Sequence, residues 1–167
     1  NEWQSERFSN LDQIRAGIFL YKLHGSIDWV RETDTGILKR YDSPQKNADL
    51  IFGTDAKLQS VDPFLFNVYE LRNYSLLCKM IVVIGYSFND SHINGLLGQA
   101  LRAAERKLLV VDTNDDYTDE ILKKLSLDDV FRSRIIFKRM TAGQFLNNEL
   151  IKDKMEALVP DEDAVFK

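Results

Sequence analysis

The apolar positions of this chain switch period along its length, and each stretch predicts its own element. From Asp62 onward, Phe64, Leu65, Val68, Leu71, Leu76 and Leu77 recur at helical spacing. Asp62-Pro63 ahead of them is a helix opening, a capping residue followed by proline in the first turn. Met80 to Ile84 (MIVVI) is apolar without alternation, the pattern of a strand buried on both faces in a parallel sheet. Residues 85–90 (GYSFND) turn the chain. Ile93, Leu96, Leu97, Ala100, Leu101 and Ala104 then mark an amphipathic helix capped by Asp90 or Ser91. Leu108 to Val111 (LLVV) predicts a second buried strand, and DTNDDYTD a polar turn. Residues 120–125 predict a short helix, and Arg134 to Phe137 (RIIF) a third strand. Thr141 opens a final helix with apolar positions at Phe145, Leu150, Ile151, Met155, Leu158 and Val159, ended by Pro160.

The N-terminal third is shorter in its periods. Gly17 to Lys22 (GIFLYK) alternates and predicts a strand ending at His24-Gly25. Ser26 to Val30 continues extended and can pair with residues 37–41 (ILKRY) across the polar turn RETDTG. Residues 43–49 (SPQKNAD) form a loop by composition, with LIFGT a further short extended piece. Strand and helix alternating over 62–159 predict an α/β fold, a doubly wound and mainly parallel sheet with helices on both faces. Residues 1–160 are expected to belong to one domain and 161–167 to an acidic tail or linker.

Composition narrows the function classes. At 167 residues the chain has the length of a single domain. A hydrophobic share of 44% is enough for a core and excludes wholesale disorder. The net charge of −4 argues against a nucleic-acid partner, which needs a basic surplus. Arg132, Arg134, Lys138 and Arg139 flank an apolar strand and read as its polar boundary. Cys78, the only cysteine, cannot complete a usual zinc site with two histidines, so no metal is expected; its apolar flank predicts a buried core thiol. The apolar run at 81–84 is far below the roughly 18 residues that span a bilayer. With no basic-then-apolar leader at residue 1, a cytoplasmic chain without membrane contact is expected.

In open α/β sheets, ligands bind at the carboxyl ends of the strands. Three predicted turns occupy that position, namely His24-Gly25-Ser26, residues 85–90 and residues 112–115. Gly85 followed by a capped helix suits an anion, and Ser87 adds a hydroxyl; an ordinary strand-to-helix turn uses the same residues for local reasons. Asp112 or Asn114 can take ribose hydroxyls, or simply cap the next helix. His24 has the side chain suited to proton exchange near neutrality, and Gly25 leaves room for a substrate beside it. A structural, hydrogen-bonded histidine is the competing reading. His92, in the first turn of a helix, reads as exposed or capping.

One resemblance joins these signals. The run Tyr21 to Trp29 (YKLHGSIDW), followed by Ile81 to Asp90 (IVVIGYSFND), resembles the sirtuin-like NAD-consuming domains of bacterial defence proteins. His24-Gly25 is similar to the catalytic motif shared with sirtuins. Gly85-Tyr86-Ser87 stands where that family has its nucleotide-binding turn, and residues 111–114 (VDTN) are loosely similar to its adenosine-ribose segment. The likeness covers roughly residues 15–140 and implies a Rossmann-like fold with NAD as substrate.

The family also implies roles. The bond between nicotinamide and ribose breaks through a transition state with positive charge on the ribose. His24 would be the general base, toward a ribose hydroxyl or a water. Ser87 and backbone N–H groups near residues 85–88 would position the nucleotide, with Gly25, Gly85, Tyr86 and Phe88 also in the cofactor site, and Asp112 or Asn114 would hold the adenosine ribose. Sirtuin deacylases carry four zinc-binding cysteines between these motifs. Cys78 alone therefore points to the zinc-free NAD glycohydrolase branch, without metal. The family's glycine-rich phosphate loop and catalytic asparagine precede the histidine motif, and the 23 residues before His24 contain neither pattern. The expectation is a C-terminal portion of a larger domain, inactive alone, within a parent that hydrolyses NAD and joins further domains or copies of itself. The alternatives are a non-catalytic NAD or ADP-ribose sensor, a protein deacylase, and a scaffold in which Trp3, Phe8, Trp29 and Phe166 bury at an interface.

Overall fold

The computed structural model describes residues 18–51, 61–103 and 105–159. Gly17, the end of LIFGT, Ala104, Pro160, the acidic tail, and the interface candidates Trp3, Phe8 and Phe166 lie outside the described residues. The chain divides into two compact units, Asn1–Asn73 and Tyr74–Lys167.

In the first unit, β1 (Trp29–Arg31) and β2 (Leu38–Arg40) form an antiparallel pair, with Trp29 opposite Arg40 and Arg31 opposite Leu38. Glu32 N–H donates to the Ile37 carbonyl at 3.0 Å and closes the hairpin over the predicted polar turn. The expected strand at GIFLYK does not form. Residues 18–22 have no ladder partner among the described residues, and Ile18 and Leu20 are exposed. Alternation specifies a strand only where a neighbour takes up one face and the ladder bonds. α1 (Phe64–Leu77) follows a cis Asp62-Pro63 bond, and the Pro63 carbonyl accepts its first turn's bond from Asn67 N–H at 2.9 Å.

The second unit is a parallel sheet in the order β3–β4–β5, where β3 is Met80–Ile84, β4 Lys107–Asp112 and β5 Ile135–Arg139. The register sets Ile84 beside Val111 and Asp112 beside Arg139. β4 is central, and its apolar run is buried on both faces as predicted. Leu108 and Val110 pack with Leu97, Leu101, Ile121 and Leu125 of the helices on one side. Leu109 and Val111 pack with Phe145 on the other. Each such side chain withdrawn from water contributes about 1.5–3 kcal/mol against the chain entropy lost on folding. β3 differs from expectation. It pairs with β4 alone among the described residues, and while Val83 is buried, Val82 and Ile84 stand 36% and 38% exposed. Among the described residues, the unbroken apolar run is thus the end strand of the sheet, with Val82 and Ile84 on an open face.

α2 (Ser91–Ala103), α3 (Thr118–Lys124), a short 3₁₀ turn (Asp129–Arg134), α4 (Ala142–Asn148) and α5 (Lys152–Glu156) complete the unit. Thr141 and Gln144 close a capping box at α4, two backbone N–H groups answered reciprocally. The single final helix expected from 141 to 159 is broken at residues 149–151. Ile151 takes an extended conformation, and the Glu149 carboxylate bridges Lys138 of β5 and Lys154 of α5. Cys78 is half-buried beside the carbonyl of Ser75, and burial pushes its thiol pKa up.

Candidate functional site

The carboxyl ends of β3 and β4 lie side by side, because a parallel pair in register ends together. Gly85 N–H donates to the Val111 carbonyl at 3.2 Å, one step beyond the ladder, so the turn at 85–90 leaves the sheet beside Asp112. Met140 N–H donates to the Asp112 carbonyl at 2.9 Å and brings the end of β5 to the same edge.

The first turn is held from within. Gly85 has φ +64°, a left-handed conformation that glycine adopts without strain, and nothing lies within 4 Å of where its Cβ would be. Phe88 also has positive φ, +54°, with its side chain only 1% exposed in the core. The ring therefore anchors the turn, and only the backbone of Phe88 can face a ligand. The Tyr86 hydroxyl accepts from Asp90 N–H at 3.3 Å and lies 3.0 Å from Asn94 Oδ1, while Asn94 Nδ2 donates to the Phe88 carbonyl at 2.8 Å. Burial raises the Tyr86 phenol above its ordinary pKa. Asp90 Oδ1 accepts from the N–H groups of His92 and Ile93 at 3.0 and 3.3 Å, which settles the cap of α2 on Asp90. Ser87 is exposed, and Lys124 Nζ donates to its carbonyl at 3.2 Å and to Asn89 Oδ1 at 2.9 Å.

In the second turn, Asp112 Oδ1 accepts from Asn114 N–H at 2.9 Å and Oδ2 from the Tyr117 hydroxyl at 3.0 Å. The Asn114 N–H bond is the main cause that holds the Asp112 carboxyl below its usual pKa, so it is ionised at neutral pH. A carboxylate oxygen has two acceptor sites. The Thr113 N–H and the Asn114 side chain bond to the same carboxylate and also favour its ionised form. Asn114 itself is exposed.

His24, Gly25 and Ser26 belong to the first unit. His24 is exposed, and its carbonyl accepts from Ile51 N–H at 3.0 Å. Gly25 has φ +84° and bridges Leu50; a Cβ there would meet the Asp49 carbonyl oxygen at 2.1 Å. The missing side chain makes room for the Asp49 backbone. Ser26 Oγ accepts from Lys22 Nζ at 2.5 Å. Hydrogen bonding from Ser26, ahead of Arg40, holds the Asp28 carboxyl down at about 2. Within the second unit the structure brings Gly85–Phe88 together with Asp112 and Asn114.

Sequence reasoning missed Tyr117, Asn94 and Lys124. Tyr117 is five residues from Asp112 in a turn read only as polar, and Lys124 lies 37 residues from Ser87. No spacing rule links such pairs.

A parallel, helix-covered sheet with polar turns gathered at its carboxyl edge defines a Rossmann-like nucleotide-binding fold. Residues 4–129 match the SIR2-like domain, and the chain belongs to that family. SIR2-like domains bind NAD. No curated protein matches the chain by sequence.

Proposed function

We propose that the chain is the NAD-binding portion of a SIR2-like NAD glycohydrolase, the family reading that its motifs carry into an antiphage-defence setting. The observation that supports this best is the in-register meeting of the 85–88 turn with Asp112 through the Gly85–Val111 hydrogen bond. That meeting gives a nucleotide both backbone N–H donors for its phosphates and an ionised carboxylate for its ribose.

In the proposed reaction the bond between the ribose C1′ and the nicotinamide nitrogen breaks. Its electron pair leaves with nicotinamide, neutralising the ring, and positive charge develops on the ribose. Water adds at C1′ and gives ADP-ribose, and His24 takes the proton, a role worth about 10²–10⁴-fold in rate. Asp112 and the 86–88 amides would orient the substrate and transfer no proton. Cys78 as the only cysteine supports the branch without the four-cysteine zinc module over a deacylase.

The test is nicotinamide release from NAD by the full-length protein, wild type against His24→Ala. Release that falls at least about 100-fold, with ADP-ribose binding kept, supports the hydrolase. Binding without release in the wild type supports the second reading, a non-catalytic NAD or ADP-ribose sensor. One observation favours that reading: the polar groups gathered at the sheet edge, the 85–90 turn and the Asp112 carboxylate, suit binding.

A further inference from the structure

Asp112 is oriented by a residue that the family reading does not involve. Tyr117 ends the turn after β4 at the N-cap of α3, where its carbonyl accepts from Glu120 and Ile121 N–H at 2.9 and 3.1 Å, fixing its backbone. Its ring stands edge-on to Phe137 of β5, centroids 5.3 Å apart, and edge-on to Phe88 at 6.4 Å. Phe88 in turn lies 4.9 Å from the ring of Tyr86. A continuous aromatic row, Tyr86–Phe88–Tyr117–Phe137, therefore runs beneath both turns of the candidate site. From that row, a single hydroxyl reaches up to Asp112 Oδ2 at 3.0 Å.

We propose that Tyr117 is a positioning residue for the nucleotide: its hydroxyl fixes the Asp112 carboxylate in the rotamer that receives the adenosine ribose diol, and its ring ties that carboxylate to the 85–88 turn. The proposal rests on the reading of Asp112 as the ribose acceptor. Geometry supports it in three ways. The hydroxyl occupies one oxygen and Asn114 N–H the other, so the carboxylate cannot rotate without losing both bonds. Ring packing on two sides leaves the hydroxyl little freedom to seek another acceptor. Burial, with the Asp112 bond, pushes the phenol to about 12, so it remains a donor throughout the pH range in which the protein works.

The experiment compares Tyr117→Phe, Asp112→Ala and the double variant in the full-length protein, titrated with ADP-ribose and with its adenosine-side 2′-deoxy analogue. Tyr117→Phe keeps the ring and its packing, and circular dichroism and thermal melting confirm the fold. The expected result is a 5- to 30-fold rise in the ADP-ribose dissociation constant for Tyr117→Phe, corresponding to about 1–2 kcal/mol. The 2′-deoxy penalty should shrink with it, and Tyr117→Phe should add nothing in the Asp112→Ala background. Where the protein turns over NAD, KM rises and kcat holds. If Asp112→Ala weakens binding and Tyr117→Phe leaves it unchanged, the proposal is overturned while the ribose reading survives. If Asp112→Ala itself has no effect, the ribose reading fails and takes the proposal with it.

Discussion

The Gly85 amide and the Val111 carbonyl, 3.2 Å apart, join the first residue beyond one strand to the penultimate residue of its neighbour. The bond extends the β3–β4 ladder by one step, and it makes the phosphate-type turn and the acidic turn parts of one edge. Gly85 adopts φ +64° with open space around its Cβ position, so a side chain there costs backbone strain alone.

Gly85→Ala should therefore destabilise by about 1–2 kcal/mol, the cost of holding a non-glycine residue in the left-handed region. Gly25→Ala should cost more, because the added Cβ also meets the Asp49 carbonyl at 2.1 Å and the backbone must move. Urea denaturation of both variants checks the order. Equal losses would mean that the close approach at Gly25 relaxes freely.

Two glycines of α2 should respond with opposite sign. Gly95 is exposed with nothing near its Cβ position, and Gly95→Ala should stabilise by about 0.5–1 kcal/mol through helix propensity. Gly98 is buried against α3, and a Cβ there would lie 2.4 Å from the Leu125 carbonyl. Gly98→Ala should destabilise by about 1–3 kcal/mol through overpacking. The shift in thermal midpoint, up for one and down for the other, is the readout.

Asp90→Ala removes the oxygen that answers two N–H groups of α2, at an expected cost of about 0.5–2 kcal/mol. Asp90→Asn should restore most of it, since an amide oxygen caps equally well. Chemical denaturation of the pair separates capping from charge; an asparagine variant as weak as the alanine one would count against the cap.

Stability should fall in acid through identifiable carboxylates. Asp28 and Glu149 both sit at about 2 in the folded protein, below their ordinary values near 4. Folded values below unfolded ones mean that the unfolded chain binds protons first. The stabilisation is complete above about pH 5 and is lost as pH falls through about 2. Ser26 and Arg40 hold Asp28 in the first unit; Lys138, then Lys154, hold Glu149 in the second. Asp28→Asn and Glu149→Gln should each lower stability at pH 7 and flatten its decline between pH 5 and 2, as followed by denaturation at stepped pH.

Much of this was legible where one segment decides its own structure. The unbroken LLVV of β4, the cap of α2 at Asp90 or Ser91 and the helix start at Thr141 are local patterns with local causes. The motif order around His24-Gly25 and Gly85-Tyr86-Ser87 carried the family. What failed depended on neighbours distant in sequence. GIFLYK alternates like a strand but meets no ladder partner among the described residues. MIVVI reads as doubly buried, yet one face lies open because β3 ends the described sheet. The final helix breaks where Glu149 joins Lys138 and Lys154, three charges that no helical period brings together. Tyr117 was invisible as a partner of Asp112 because aromatic rows form between elements.

The central claim, that the paired turns carry the nucleotide, is tested most directly by hydrogen exchange of the full-length protein with and without ADP-ribose. The account predicts slowed exchange confined largely to peptides covering residues 85–90 and 112–117. Bound ADP-ribose that leaves both peptides unchanged, and protects other segments instead, would contradict it.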